Sequence, residues 1–256
     1  MGGEGELMTE TKLPTFRTAL ASWRDAACAL LRMPVLAVCT TLALFILSIL
    51  DDALRPKTAA GMAMGWGLLW DGLMGVIFAL VLTPLGIAAS RYVVLGEMAQ
   101  RAALDYSSPR FRKFFAYSVL VTIPITIFIF IGETTDTLVA VGLFAVSAII
   151  VLITSLLFPA IAVDAPGANP GNAIRDIRFG RGLAIMIAAL LPLLLVFAVA
   201  AISSEIASDD TTAAWLLLLL LASAFDMIII TVLTTAASRL YLAWGSRLGS
   251  PASGAA

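Results

Sequence analysis

The sequence has no histidine, only two cysteines, and little charge: 13% of its 256 residues are charged, against 61% that are hydrophobic. Each scarcity excludes something. Without histidine there are no His-based proton relays, no His metal ligands and no Ser-His-Asp triads. Cys28 and Cys39 stand eleven residues apart. On one continuous helix that is a rise of about 16 Å, too far for a disulfide, and two thiols without histidine make a poor zinc site. No cofactor or metal is expected. No nucleophile–base pair stands out, so no enzyme is expected and no catalytic residue is assigned. The start, MGGEGELMTE, is acidic rather than the basic opening of a signal peptide. Glu6 occupies the Ser/Thr position of a myristoylation signal.

What is present is apolar sequence in long uncharged runs. Soluble domains average about 25% charged residues, and runs of about 18 or more apolar residues mark membrane-spanning helices. Six segments qualify: Val35–Leu50, Met62–Ala89, Phe114–Ile131, Leu138–Val163, Leu183–Ile202 and Ala213–Ala237. The first and third are short for a hydrocarbon core about 30 Å thick and must borrow from their flanks. The expected fold is all-α and polytopic, with six transmembrane helices in residues 15–248. Disordered ends are expected over 1–14 and 249–256, where the tail reads GSPASGAA.

Charge sets the orientation. Lys12, Arg17, Arg24, Arg32, Arg91, Arg101, Arg110, Arg112, Lys113, Arg175, Arg178, Arg181, Arg239 and Arg247 fall on one side of this threading. Only Arg55 and Lys57 fall on the other. The positive-inside rule puts the fourteen, with both termini, in the cytoplasm. Asp51, Asp52, Glu133, Asp136, Glu205, Asp209 and Asp210 gather outside. Trp66, Trp70 and Trp215 fall near the outer edge, and Trp23, Trp244, Tyr92 and Tyr241 near the inner one, as amphipathic rings prefer. Asp71, beside Trp70, reads as a boundary or packing residue.

The segments alternate short and long, and each pair repeats one order. A basic amphipathic stretch leads into a short span near a proline (Pro34, Pro124, Pro192). An acidic turn follows, then a long span with a small-residue end. Those ends read LTPLGIAASRY (82–92), LFPAIAVDAPG (157–167) and LTTAASRLY (233–241). This predicts three tandem parallel hairpins, over about 15–92, 107–165 and 172–245. Each opens on an interfacial amphipathic helix. In Thr15–Leu31 the residues Phe16, Leu20, Trp23 and Leu30 form its apolar face. Ser108-Pro109 caps the second opening, and Asn172 caps Ala173–Phe179 in the third. Anionic lipid headgroups are the expected contacts of the basic face; a protein partner is unspecified, and nucleic acid is not expected.

The stretch PAIAVDAPG followed by NAIRDIRFGRG resembles the membrane domain attached to some bacterial glycerophosphodiester phosphodiesterases, and the related YciC-like inner-membrane proteins. The likeness is architectural over about residues 15–245 and motif-level over 157–182. It implies a membrane module. The esterase chemistry of that family resides in a separate soluble barrel that uses His, and this chain has none.

Two sites follow. Asp226, in SAFDMIII near the middle of the last span, is costly in hydrocarbon and normally faces an interior or cavity. With no Lys, Arg or His at its depth it must be protonated, hydrated or bonded to hydroxyls, with Thr154 and Ser155 the first candidates and Ser147, Thr122 and Thr126 further ones. It is either a neutral interhelical hydrogen bond or the ion site of a small transporter or channel. The second is a cytoplasmic charge network in which Asp164 meets Arg91, Arg175 or Arg239. Asp164→Ala is then expected to destabilise more than Asp176→Ala. GMAMG (61–65), with Gly72 and Gly75, reads as a close-packing face.

Overall fold

The computed structural model describes residues 14–55, 63–98, 100–132, 137–206 and 212–249. The predicted disordered ends therefore lie outside the described residues, except Pro14 and Gly249. So do Lys12, Lys57, Glu133, Asp136, Asp209 and Asp210. Among the described residues the chain is all-helical. In order the helices are α1 (Thr15–Arg32), α2 (Pro34–Leu54), α3 (Ala63–Leu95), α4 (Gln100–Ala103) and α5 (Pro109–Gly132). Then come α6 (Thr137–Ala162), α7 (Pro170–Asp176), α8 (Phe179–Ile206) and α9 (Thr212–Trp244).

Within the described residues three helices are long and apolar enough to cross a membrane, over Pro34–Leu54, Trp66–Leu95 and Ala213–Trp244. α2 borrows from its flanks, reaching 21 residues. α3 and α9 each have 33 residues, a length of about 50 Å, so both overshoot a hydrocarbon core. α9 is the hub and packs on α1, α2, α3, α6 and α8. α5 lies against α3 and α6. Many of the most deeply buried residues are small or aliphatic ones near the C-terminal ends of α3, α6 and α9, among them Leu85, Ile87, Ala88, Ala89, Leu156, Leu157, Ala160, Ala162, Ala236 and Leu240.

α1 is a separate amphipathic helix because Pro34 disfavours helical geometry at Met33. Met33 sits at φ −124°, ψ 53° and is fully buried as the pivot. α1 turns its small face, Thr18, Ala19, Ser22, Ala26 and Ala29, onto the bundle. Phe16, Leu20 and Leu31 stay exposed, as expected of a helix lying in an interface. Trp23 and Leu30 are half-buried rather than exposed with them. Three ties fix α1. Thr235 donates to the Ser22 carbonyl at 2.9 Å, and Asp25 pairs with Arg239 at 2.7 Å. The Trp23 indole donates to the Ala189 carbonyl at 2.9 Å.

The other two openings differ from the first. The RFRKFF stretch forms the first turns of α5 itself, capped by Ser108, whose Oγ accepts the Phe111 amide at 3.2 Å. In the third, the cap is Asn169 rather than Asn172. Its side chain accepts the Asn172 amide at 2.9 Å and Pro170 follows. Proline suits the first helical position, so α7 starts earlier than Asn172 and stops at Asp176.

Candidate functional site

α6 ends in a Schellman motif. The Ala165 amide reaches the Ala160 carbonyl at 2.9 Å, and the Asp164 amide reaches Ile161 at 3.1 Å. The motif needs a left-handed residue, usually glycine; here Asp164 takes it, at φ 54°. Aspartate tolerates this conformation better than most residues. Its carboxylate receives Arg110, whose Nε is 2.9 Å away and whose Nη2 also pairs with it. Arg91 Nη1 stands 3.9 Å from the same oxygen. Arg91 also donates to the Ala162 carbonyl at 3.1 Å and pairs with Glu97 at 2.5 Å. Gly96, at φ 72°, ends α3 and turns the chain so that Glu97 can reach back. The Arg91 side chain is 8% exposed and that of Asp164 50%, so the cluster is only partly desolvated.

Of the expected network, Asp164 and Arg91 come together, while Arg175 and Arg239 lie in other ties. Arg239 pairs with Asp25. The Arg175 carbonyl accepts Arg247 at 3.0 Å. Arg110, Asp25 and Arg247 were not foreseen as partners. The signal for Arg110 was its place right after the Ser108-Pro109 cap, which holds its direction from the first turn.

The PGANPGNAIRD stretch (166–176) clamps the segment after α9. Asp176 accepts the Arg247 amide at 2.8 Å and faces its guanidinium at 3.5 Å, with a side chain only 4% exposed. The Gly167 amide donates to the Leu248 carbonyl at 3.0 Å. Asn172 donates to the Gly167 and Arg247 carbonyls at 3.0 and 3.2 Å. Tyr241 donates to Gly249 at 2.6 Å. Asp176 was expected to be the lesser acid, yet its side chain is the more buried of the two and it accepts a main-chain amide.

At the far end of α2 and α3, Asp51 and Asp71 are also partnered. Trp70 donates to Asp51 at 2.6 Å, and Arg55 pairs with Asp71 at 2.7 Å. Asp226 differs. It lies exposed at the middle of α9, and no hydrogen bond or ion pair joins it to another described residue. Thr154 and Ser155 donate within their own helix, to Ile150 at 2.7 Å and Leu152 at 2.6 Å. Thr122 likewise donates to Ser118 at 3.0 Å. The side chains of Ser147 and Thr126 lie outside the described residues. The expected meeting of Asp226 with Thr154 and Ser155 is not formed. Depth alone does not tell an exposed residue such as Asp226 from buried ones such as Thr154 and Ser155.

Thr154 and Ser155 instead line a half-open cavity of about 320 Å³ among α3, α5, α6 and α9. Its walls include Gly75, Ala79, Gly86, Phe114, Phe158 and Leu233. Asp226 is not among the lining residues. Left empty in a packed core, a void of this size would cost about 8 kcal/mol. A second groove, of about 300 Å³, lies at the basic end between Asp25, Arg32, Tyr92 and Arg239. There Arg32 stacks over the Tyr92 ring at 5.5 Å.

No protein-family model, curated protein or solved structure matches this chain. The class defined by the fold alone is an all-helical protein with apolar helices suited to a membrane.

Proposed function

We propose that this protein is a non-enzymatic integral protein of the bacterial inner membrane, an accessory or assembly module that docks a partner's transmembrane helix against α9 at Asp226. The single observation behind this is the exposed, unpartnered carboxylate at the middle of a 33-residue apolar helix. A carboxylate facing lipid costs on the order of 3 kcal/mol. A partner helix bearing a hydroxyl, amide or basic group would remove that cost and gain a hydrogen bond. The flanking Leu217, Leu218 and Leu221 are exposed as well, giving the partner an apolar bed. A transporter would need Asp226 to face a conduit, and the cavity runs elsewhere.

The reading includes six spans as three hairpins with both termini cytoplasmic. It is supported by the packing of α2 on α3, α5 on α6 and α8 on α9. The fourteen cations on one side of the threading support it too. Lipid phosphates then occupy the Arg32–Arg239 groove. Thiol labelling of a cysteine placed at position 53, but not at 246, from outside intact cells is the expected topology result.

The docking test is a photoreactive residue at position 222, one turn before Asp226, irradiated in native membranes. The expected result is a discrete adduct with another membrane protein or a second copy. It survives Asp226→Asn, which keeps the hydrogen bond, and is lost in Asp226→Leu. Adducts with lipid alone, or an adduct indifferent to Asp226→Leu, overturn the proposal. Proton or ion flux in proteoliposomes that vanishes in Asp226→Asn would replace it with the transporter.

A further inference from the structure

The cavity among α3, α5, α6 and α9 has walls that hold many hydroxyls, yet they leave it apolar. Thr83 donates to Ala79 at 2.7 Å, Ser118 to Phe114 at 3.0 Å, and Thr122, Thr154 and Ser155 each donate within their own helix. No charged side chain lines it. A buried water needs two to four polar partners; these five donors are already used, and Thr234, the remaining hydroxyl-bearing residue of the lining, offers too few by itself, so the space suits hydrocarbon rather than water.

Its shape narrows the choice. Along α3 the lining runs from Gly75 to Gly86, a rise of about 16 Å. Spread over that length, 320 Å³ gives a mean cross-section of about 20 Å². That is the girth of one extended hydrocarbon chain, not of a fused ring system. Glycine and alanine at positions 75, 79, 86 and 237 keep the bore open. The Phe114 ring closes over Gly86, where an added Cβ would meet its Cζ at 2.8 Å. It packs on Phe158 with ring centroids 4.7 Å apart. This aromatic pair lies one turn from Arg110 on α5, so the closed end is the basic end.

We infer that this cavity binds a single linear acyl chain, carried by a phospholipid or by a free fatty acid. The inference needs only that α3 and α9 cross a bilayer and does not depend on the docking role of Asp226. The chain lies along α3 with its terminal methyl group toward or away from the Phe114–Phe158 seal according to which leaflet supplies it. It fills what would otherwise be a void between helices.

The experiment uses the full-length protein in vesicles of phosphatidylethanolamine and phosphatidylglycerol. Two probes are compared, a diazirine-bearing palmitic acid and a phosphatidylglycerol with the same diazirine chain, with adducts mapped by peptide mass spectrometry. Expected adducts concentrate on residues 78–86, 151–158 and 230–237, and labelling saturates and is competed by the matching unlabelled lipid. Ala79→Phe, which fills the bore, lowers this labelling about tenfold. Leu69→Phe, on an exposed face, leaves it unchanged. Competition on the wild type keeps the result readable if Ala79→Phe folds poorly. Palmitate-only competition identifies a free fatty acid, and phospholipid-only competition a membrane lipid. Labelling that does not saturate, or that falls evenly on Leu216–Leu221 and the cavity, overturns the inference.

Discussion

The basic end of the bundle and the middle of α9 treat a carboxylate in opposite ways. At the basic end Asp25, Asp164 and Asp176 each meet an arginine, and Asp176 also takes a main-chain amide. Half-way along α9 Asp226 meets nothing among the described residues and is exposed. A partnered acid near water is inexpensive and locks elements together. A lone acid among leucines has no such return inside the chain. The contrast teaches that the first three are explained by the fold and the fourth is not.

The largest effect should come from breaking the clamp that the basic end builds. Asp176→Ala leaves the Arg247 amide without its acceptor and removes a nearly buried carboxylate. A loss of about 2–3 kcal/mol is expected, read as a lower unfolding midpoint in detergent. Gly167→Ala should act on the same contact, because its Cβ would press on the Arg247 carbonyl and stand 2.8 Å from that of Leu248. Neither change should affect acyl-chain labelling. If Asp176→Ala were silent, the ordered partnering at this end would carry no weight.

Asp164 ranks below Asp176 and has two separable parts. Asp164→Ala loses the arginine contacts and also puts a residue poorly suited to φ 54° at the helix end. Asp164→Gly loses only the contacts. The expected losses are about 1–2 kcal/mol for alanine and less for glycine, since glycine adopts this conformation freely. Equal losses would assign all the effect to the charge cluster; a glycine variant as stable as wild type would assign it all to the backbone.

Asp226→Leu supplies the opposite pole. With no described partner to lose, it should leave the unfolding midpoint in detergent within about 0.5 kcal/mol of wild type, or raise it. A loss as large as that of Asp176→Ala would mean that Asp226 holds the monomer together, and would erase the contrast between the two regions.

The sequence carried the helices well and the partners poorly. Long uncharged runs marked α2, α3 and α9, and Pro34 and Ser108-Pro109 marked two helix starts, because these are local effects. Asp164 and Arg91 share a depth at the ends of two packed helices, and depth was legible from position alone. Facing was not. Asp226, Thr154 and Ser155 were grouped as intramembrane polar residues, but in a helix that is apolar nearly all round, periodicity does not reveal which side meets a neighbour. Asp176 was underestimated for a related reason. The segment that buries it, 244–249, is about 70 residues away in the chain, and nothing near Asp176 announces it.

The smallest effect belongs to Asp105, in the loop before α5, outside the apolar helices. The Ser107 hydroxyl donates to its carboxylate at 2.6 Å and the Ser107 amide at 3.1 Å. The hydroxyl bond chiefly, with the amides and the charge of Arg110 adding to it, holds the carboxyl below the ordinary aspartate range. A carboxyl lowered in the folded state favours folding when ionised. That contribution is complete above the ordinary value, near pH 4, and is lost as pH falls through the lower folded value. Because Asp105 is fully exposed, solvent screens it and the shift should be slight. Unfolding midpoints of wild type and Asp105→Asn should therefore differ by a small constant above about pH 5 and converge below about pH 3. A gap that widens on acidification would mean that the neutral carboxyl, not the ionised one, is held by Ser107, and that the turn into α5 is set by a different contact.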